Sequence, residues 1–362
     1  MSTAPDCGWV VIRDPGWPSP YFAELERHAP AALPLACSAT LDALPVRPAH
    51  PGVINLHRLK RLYREPGGQR TLDAVKTMLE QLAVLREGGW RIVWTVHNLL
   101  PIDGGPPSDT DWYAALGVLG LADTVLTHTC ADAVYLSRLT KAPVTVAGWS
   151  GLTAPADAGP EPEPTSELTR WLRATSYAVL VVGNLTAYKD LPAVVGAFTG
   201  HTRHARLLVA GPCRDDALAA ELQDAAQESG GRVRVYPHRI PPEHVHHLYR
   251  AADAALCPYR VDGPWEFFTQ VLFPGSVGTA LAFGTPVIAP DLPAIDEMTA
   301  GHPALLYPTA DGPGQVLAAA ETVPRPRARR SPVDGAARWQ AIAATYQRMF
   351  EQLTTRKEIQ RA

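Results

Sequence analysis

"YAVLVVGNLTAYKDLPAVVGAFTGHTRHARLLVAGP", Tyr177 to Pro212, holds one complete repeat of an alternating architecture. YAVLVVG (177–183) is a short apolar run rich in valine that stops at a glycine, as a buried strand does. RLLVAG (206–211) is a second such run, and the segment between them has helical spacing. Strand, helix, strand in that order is a parallel βαβ unit. Outward in both directions the alternation continues. Strands are expected at 9–13, 33–37, 52–56, 91–97, 124–128 and 143–147, then at 177–183, 206–211, 232–236, 254–258, 285–289 and 304–308. TLDAVKTMLEQLAVLREGG (71–89) is an amphipathic helix with a glycine pair suited to its C-terminal cap.

The composition breaks once. TAPADAGPEPEPTSE (153–167) is rich in proline, alanine and acid and has no apolar period, which is how a linker reads. The expected organisation is an N-terminal Rossmann-like domain over 1–152, a linker over 153–168 and a second Rossmann-like domain over 169–333. A closing helix over 334–362, carrying Trp339, Ile342, Tyr346 and Phe350, is expected to pack back across the domain interface. The fold class is α/β, two doubly wound domains in series. Ligands of such sheets bind beyond the carboxyl ends of the strands, so an interdomain cleft is the expected site.

Composition narrows the function classes. Of 362 residues, 46% are hydrophobic and 19% charged, which describes a globular chain. The formal net charge of −3 and the lack of a long basic stripe argue against nucleic acid as a partner. RPRARR (325–330) is the one basic cluster and reads as a solvated linker beside prolines. Cys7, Cys37, Cys130, Cys213 and Cys257 are scattered without a C-x-x-C pair, as in a reducing compartment. With no secretory signal and no 18-residue apolar stretch, a cytoplasmic location is expected. The 35 prolines and the alanine and arginine bias point weakly to a GC-rich bacterial genome.

Two stretches offer chemistry. In VVGNLTAYKD (181–190), Gly183 opens a strand-to-helix turn, Thr186 supplies a hydroxyl and Lys189 a full charge where backbone N–H groups favour an anion. It matches no P-loop, and an ordinary surface lysine after a turn is the plain alternative. In GSVGTALAFG (275–284), Gly275, Ser276 and Gly278 open a helix with bare N–H groups suited to phosphate or sugar hydroxyls, or serve packing alone. HRIPPEHVHH (238–247) lacks H-E-x-x-H, so His238, His244, His246 and His247 are not read as metal ligands.

Taken in order, GNLTAYKDL, LLVAGP, HHLYRAADAALCPY and LAFGTPVIAPDLPAIDE resemble the C-terminal half of GT-B glycosyltransferases of the family 4 (group 1) type. RWQAIAATYQRMF resembles that family's closing helix. Earlier, GVINLHRLKRLYR, WTVHNLLP and LADTVLTHT resemble its N-terminal segments, so the likeness spans nearly the whole chain.

The resemblance implies a sugar moved from a nucleoside diphosphate, UDP or GDP, to a hydroxyl or thiol of a small molecule or glycan, with no metal or other cofactor required. It implies that Lys189 and His97 are catalytic, Lys189 by neutralising the leaving diphosphate. Tyr188, Thr186, Gly183 and Asn184 would form the turn beneath the donor, with His238 near the nucleotide. Gly275, Ser276, Gly278 and Thr279 would line the phosphates, and Glu297 would hold the ribose. His57, His97, Asn98, Asp103 and His128 are the acceptor-side candidates, with structural histidines as the alternative for the rings.

Two departures stand out. The arginine usual near the lysine is absent, leaving Arg214 or Arg260 to supply a second charge. The E-x7-E motif is replaced by Val271 and Thr279. A related GT-B epimerase and a catalytically silent sugar-nucleotide-binding protein are the competing readings.

Overall fold

The computed structural model describes residues 8–13, 19–65, 67–102, 105–153, 160–322 and 332–359. Cys7, Asp103 and the 325–330 basic cluster lie outside them. The chain forms two compact units. The first comprises 1–149, 270–273 and 336–362, and the second 150–269 and 274–335.

The first unit is a six-stranded parallel sheet: β1 (Trp9–Ile12), β2 (Leu35–Ser38), β3 (Val53–Leu56), β4 (Arg91–Thr95), β5 (Thr124–Thr127) and β6 (Val144–Val146). Its order is β2-β1-β3-β4-β5-β6. The second unit holds β7 (Ala178–Val182), β8 (Arg206–Ala210), β9 (Val233–Tyr236), β10 (Ala254–Leu256), β11 (Val287–Pro290) and β12 (Ala304–Tyr307), ordered β12-β11-β10-β7-β8-β9 and also parallel. All twelve expected strands are present. Their near-continuous apolar runs suit strands covered on both faces. In each order the chain starts inside and later crosses to the other side. The direction reverses between β1 and β3 in one unit and between β7 and β10 in the other.

The helix expected over 71–89 runs Leu72–Gly88. Thr71 caps it, its hydroxyl accepting from the Ala74 N–H at 3.2 Å, and Gly89 ends it at φ 113°. The closing helix runs Gly335–Ile359 and buries Trp339, Ile342, Ala343, Tyr346, Met349 and Leu353 in the core of the first unit, against Trp9, Val11, Val53, Val93 and Leu126. Two stretches differ from the reading of the sequence. The last part of the 153–168 linker is ordered: Thr165–Arg173 is a helix, Glu163 accepts the Glu167 N–H at 3.2 Å, and Glu161 binds Thr169 and Arg173. Those acids are anchors for a helix start, which composition alone reads as solvation. Residues 270–273, expected inside a continuous second domain, are counted with the first unit, where the Asp132 carboxylate accepts the Leu272 N–H at 3.1 Å. Among the described residues no helix is long and apolar enough to cross a membrane.

Candidate functional site

In the second unit the β7/β10 reversal brings together the segments that leave those two strands, the position where doubly wound sheets bind ligands. After β7, Gly183 takes φ 116° and Gly211, after β8, packs against it so closely that a Cβ there would lie 2.1 Å from the Gly183 carbonyl oxygen. Ala187–Lys189 then forms a single 3₁₀ turn. Lys189 folds back over that turn: a Cβ on Gly183 would sit 3.3 Å from its Nζ. Lys189 is only 5% exposed. Burial brings its pKa down to about 8, against a small opposing effect of the Cys257 thiol. Among the described residues no carboxylate pairs with it. The Thr186 hydroxyl is likewise buried and without a hydrogen-bond partner.

Residues after β10 wall this turn. Tyr259 stacks on Tyr188 at 5.8 Å, and the Arg260 N–H donates to the Tyr188 carbonyl at 2.8 Å. The Tyr259 and Ser276 hydroxyls share a hydrogen bond of 3.2 Å, which ties the turn to the start of the helix Gly275–Ala282. Burial pushes the Cys257 thiol up to about 11, so it stays protonated and unreactive at neutral pH. Sequence reading did not single out Cys257 or Tyr259 for this site; the strand end CPY was the available signal.

Other expected donor residues are placed differently. Gly278 faces backbone, a Cβ there meeting the Ser150 carbonyl oxygen at 3.0 Å, and the Thr279 hydroxyl donates to the Gly275 carbonyl at 2.8 Å. Both serve packing. Arg260 spends its charge on Asp262, with contacts of 3.0 and 2.6 Å. Arg214, Asn184 and His238 are exposed, His238 edge-on to Tyr236. Glu297 is half-buried in the helix Pro293–Thr299.

The first unit assembles three of its expected residues into one row. His57, His97 and His128 follow β3, β4 and β5, which are neighbours in the sheet. Their ring centroids lie 5.1 and 4.9 Å apart, close to the separation of adjacent strands. His57 Nδ1 meets His97 Nε2 at 2.9 Å, and His97 Nδ1 meets His128 Nε2 at 2.9 Å. The outer ends meet oxygens, His128 Nδ1 the Gly148 carbonyl at 3.0 Å and His57 Nε2 the Asn55 Oδ1 at 2.7 Å. Burial holds all three rings below the usual histidine range, His128 at about 4. Both ring nitrogens of His97 are therefore occupied. Asn98 lies beside it with a buried Oδ1 that has no hydrogen-bond partner. Asn55, Tyr21 and Tyr346 complete the surroundings and were not expected from sequence. The signal for Asn55 was a lone amide inside the apolar strand GVINL. Among the described residues no three His, Cys, Asp or Glu side chains are grouped to hold a metal ion.

Comparison with known proteins gives this geometry its setting. Residues 176–323 match the family model "Glycosyl transferases group 1". Among solved structures, sucrose-phosphate synthase from Thermosynechococcus elongatus superposes with TM-score 0.58 at 16% identity, over 96% of this chain and 95% of that one. The α,α-trehalose 6-phosphate synthase of Burkholderia multivorans gives 0.59 at 13% identity, over 94% and 77%. Anabaena Alr3699/HepE, in complex with UDP and glucose, gives 0.54 at 14%, over 96% and 95%. A search of curated proteins by sequence found no match. Residues 176–323 thus match a group 1 glycosyltransferase domain, and the chain has the two-sheet α/β architecture of the GT-B fold.

Proposed function

We propose that the chain is a glycosyltransferase that takes its sugar from a nucleoside diphosphate, held in the second unit with its diphosphate on the Lys189 turn, and passes it to a hydroxyl or thiol of a small molecule or glycan. The observation that supports this reading is Lys189 itself, buried and, among the described residues, paired with no carboxylate, at the β7/β10 reversal inside the segment that matches the group 1 model. An isolated buried cation is unfavourable, and a phosphate supplies the missing counter-charge. As the bond from sugar to phosphate breaks, negative charge grows on the leaving diphosphate, and a cation fixed there stabilises that charge most. The idle Thr186 hydroxyl and the first N–H groups of Gly275–Ala282 are donors for the same oxygens. Glu297 is proposed for the ribose. UDP is the favoured nucleotide, because HepE, similar in fold, holds UDP and glucose. With Arg260 engaged by Asp262, Lys189 carries the main positive charge of this reading.

The test is binding of UDP, GDP, ADP and dTDP by thermal shift and calorimetry, on wild type and Lys189→Met. One nucleotide should raise the melting temperature, as a ligand of the native state does. The variant should bind it about 10- to 150-fold more weakly, from the roughly 1.5–3 kcal/mol of a hydrogen bond to a charged group. Its own melting point should be unchanged or higher, because an apolar side chain replaces a buried unpaired charge. Wild-type affinity in Lys189→Met would overturn the assignment.

A further inference from the structure

We propose that Asn55 is a positioning residue that makes His57, His97 and His128 take up a single proton as one unit, by fixing an acceptor at the far end of their row. The basis is a count of protons. The row has four contacts in line: Asn55 Oδ1 to His57, His57 to His97, His97 to His128, and His128 to the Gly148 carbonyl. Each contact needs one N–H, and three neutral imidazoles supply three. Both ends are acceptors. The Gly148 carbonyl can only accept. The Asn55 amide is held in its orientation because its Oδ1 accepts from Trp9 Nε1 at 3.1 Å, while its Nδ2 donates to Thr95 Oγ1 at 3.0 Å and to the Val93 carbonyl at 3.3 Å. Turning the amide over would set N–H against N–H at Trp9. The neutral row therefore always holds one gap in which two lone pairs face each other. One proton fills that gap and completes all four hydrogen bonds, and a second has no place in the row.

The surroundings set where this happens. Arg13, after β1, and Arg58, beside His57, both oppose a positive charge on the row. Tyr21 of the helix Pro20–His28 places its ring 4.7 Å from His97, and its hydroxyl meets that of Tyr346 on the closing helix at 3.0 Å. Phe22 and Phe273 cover His57 and His128. No carboxylate is among the charges acting on the three rings in the described residues. Burial lowers all three pKa values, so the row is neutral at pH 7 and fills its gap in acid, below the ordinary 6.5 of histidine.

Full-length protein labelled with ¹⁵N-histidine reports this by long-range ¹H–¹⁵N NMR between pH 7.5 and 4. The expected wild-type result is three N–H protons over the six row nitrogens at pH 7.5, and uptake of one proton with a midpoint shared by the three rings. Asn55→Leu removes one terminal acceptor, so three protons then satisfy three contacts, and the midpoint should fall by about one pH unit or more. Asn55→Asp keeps an acceptor at this end and adds a negative charge, so it should shift the midpoint upward. Three separate midpoints in wild type, or an unchanged midpoint in either variant, overturns the proposal. If Asn55→Leu does not fold, the wild-type titration and Asn55→Asp still decide it. The kinetic arm rests on the glycosyltransferase reading: the acid limb of the pH profile of sugar transfer should track the row midpoint and move down in Asn55→Leu. A merely structural Asn55 would scale the whole profile instead. Failure of the transferase reading would remove turnover at every pH and leave the NMR titration as expected.

Discussion

Lys189 shows how a single side chain gains meaning from burial. Its pKa falls to about 8, so the unliganded protein begins to lose this charge just above neutral pH. A bound diphosphate favours the protonated form. Affinity for the nucleotide should therefore be level below pH 8 and fall above it, by about tenfold per unit at most, as expected for one coupled proton. Calorimetric titration with UDP between pH 6.5 and 9.5 measures this, and Lys189→Met should abolish the slope. The lysine and its turn were legible in the sequence. Its isolation was not, because the residues that wall it come after a different strand, some seventy positions later.

Among the elements, the exits of β7 and β8 determine whether that turn can exist. Gly211 adopts φ 146° with Gly183 directly against it, and the Leu185 N–H donates to the Pro212 carbonyl at 3.0 Å. In Gly211→Ala the added Cβ meets the Gly183 carbonyl oxygen at 2.1 Å, backbone that cannot swing away as a side chain would. The expected cost is roughly 2–4 kcal/mol, from left-handed strain plus displacement of the neighbouring turn. Denaturant unfolding checks this, and nucleotide binding should weaken because Lys189 rides on the displaced segment. Strands and the helix Leu72–Gly88 were readable from the chain, since apolar period and caps are local properties. The helix Thr165–Arg173 was hidden by its proline and acid content, because its anchors, Glu161 and Glu163, act through contacts that composition does not record.

On the scale of the whole molecule, the last helix belongs to the first unit's core. Trp339, Ile342, Tyr346, Met349 and Leu353 are all buried there, and burying such side chains contributes about 1.5–3 kcal/mol each. Together that rivals the roughly 5–15 kcal/mol by which a domain is stable. A chain ending at Asp334 should leave the first unit unfolded or aggregated while the second keeps its sheet. Hydrogen exchange resolved along the chain would show protection lost at β1, β3 and β4 and kept at β7 and β8. The sequence alone determined the alternation of twelve strands with helices, the two-domain α/β class and the glycosyltransferase resemblance, because hydrophobic period and motif order are written residue by residue. Tertiary structure decided where those residues lie and what they meet. It set three histidines from separate loops at the spacing of adjacent parallel strands, put a fixed acceptor at each end of their row, and buried one lysine that no carboxylate pairs among the described residues. Such relations depend on which strand lies next to which, and strand order is a property of the packed sheet that no local pattern carries.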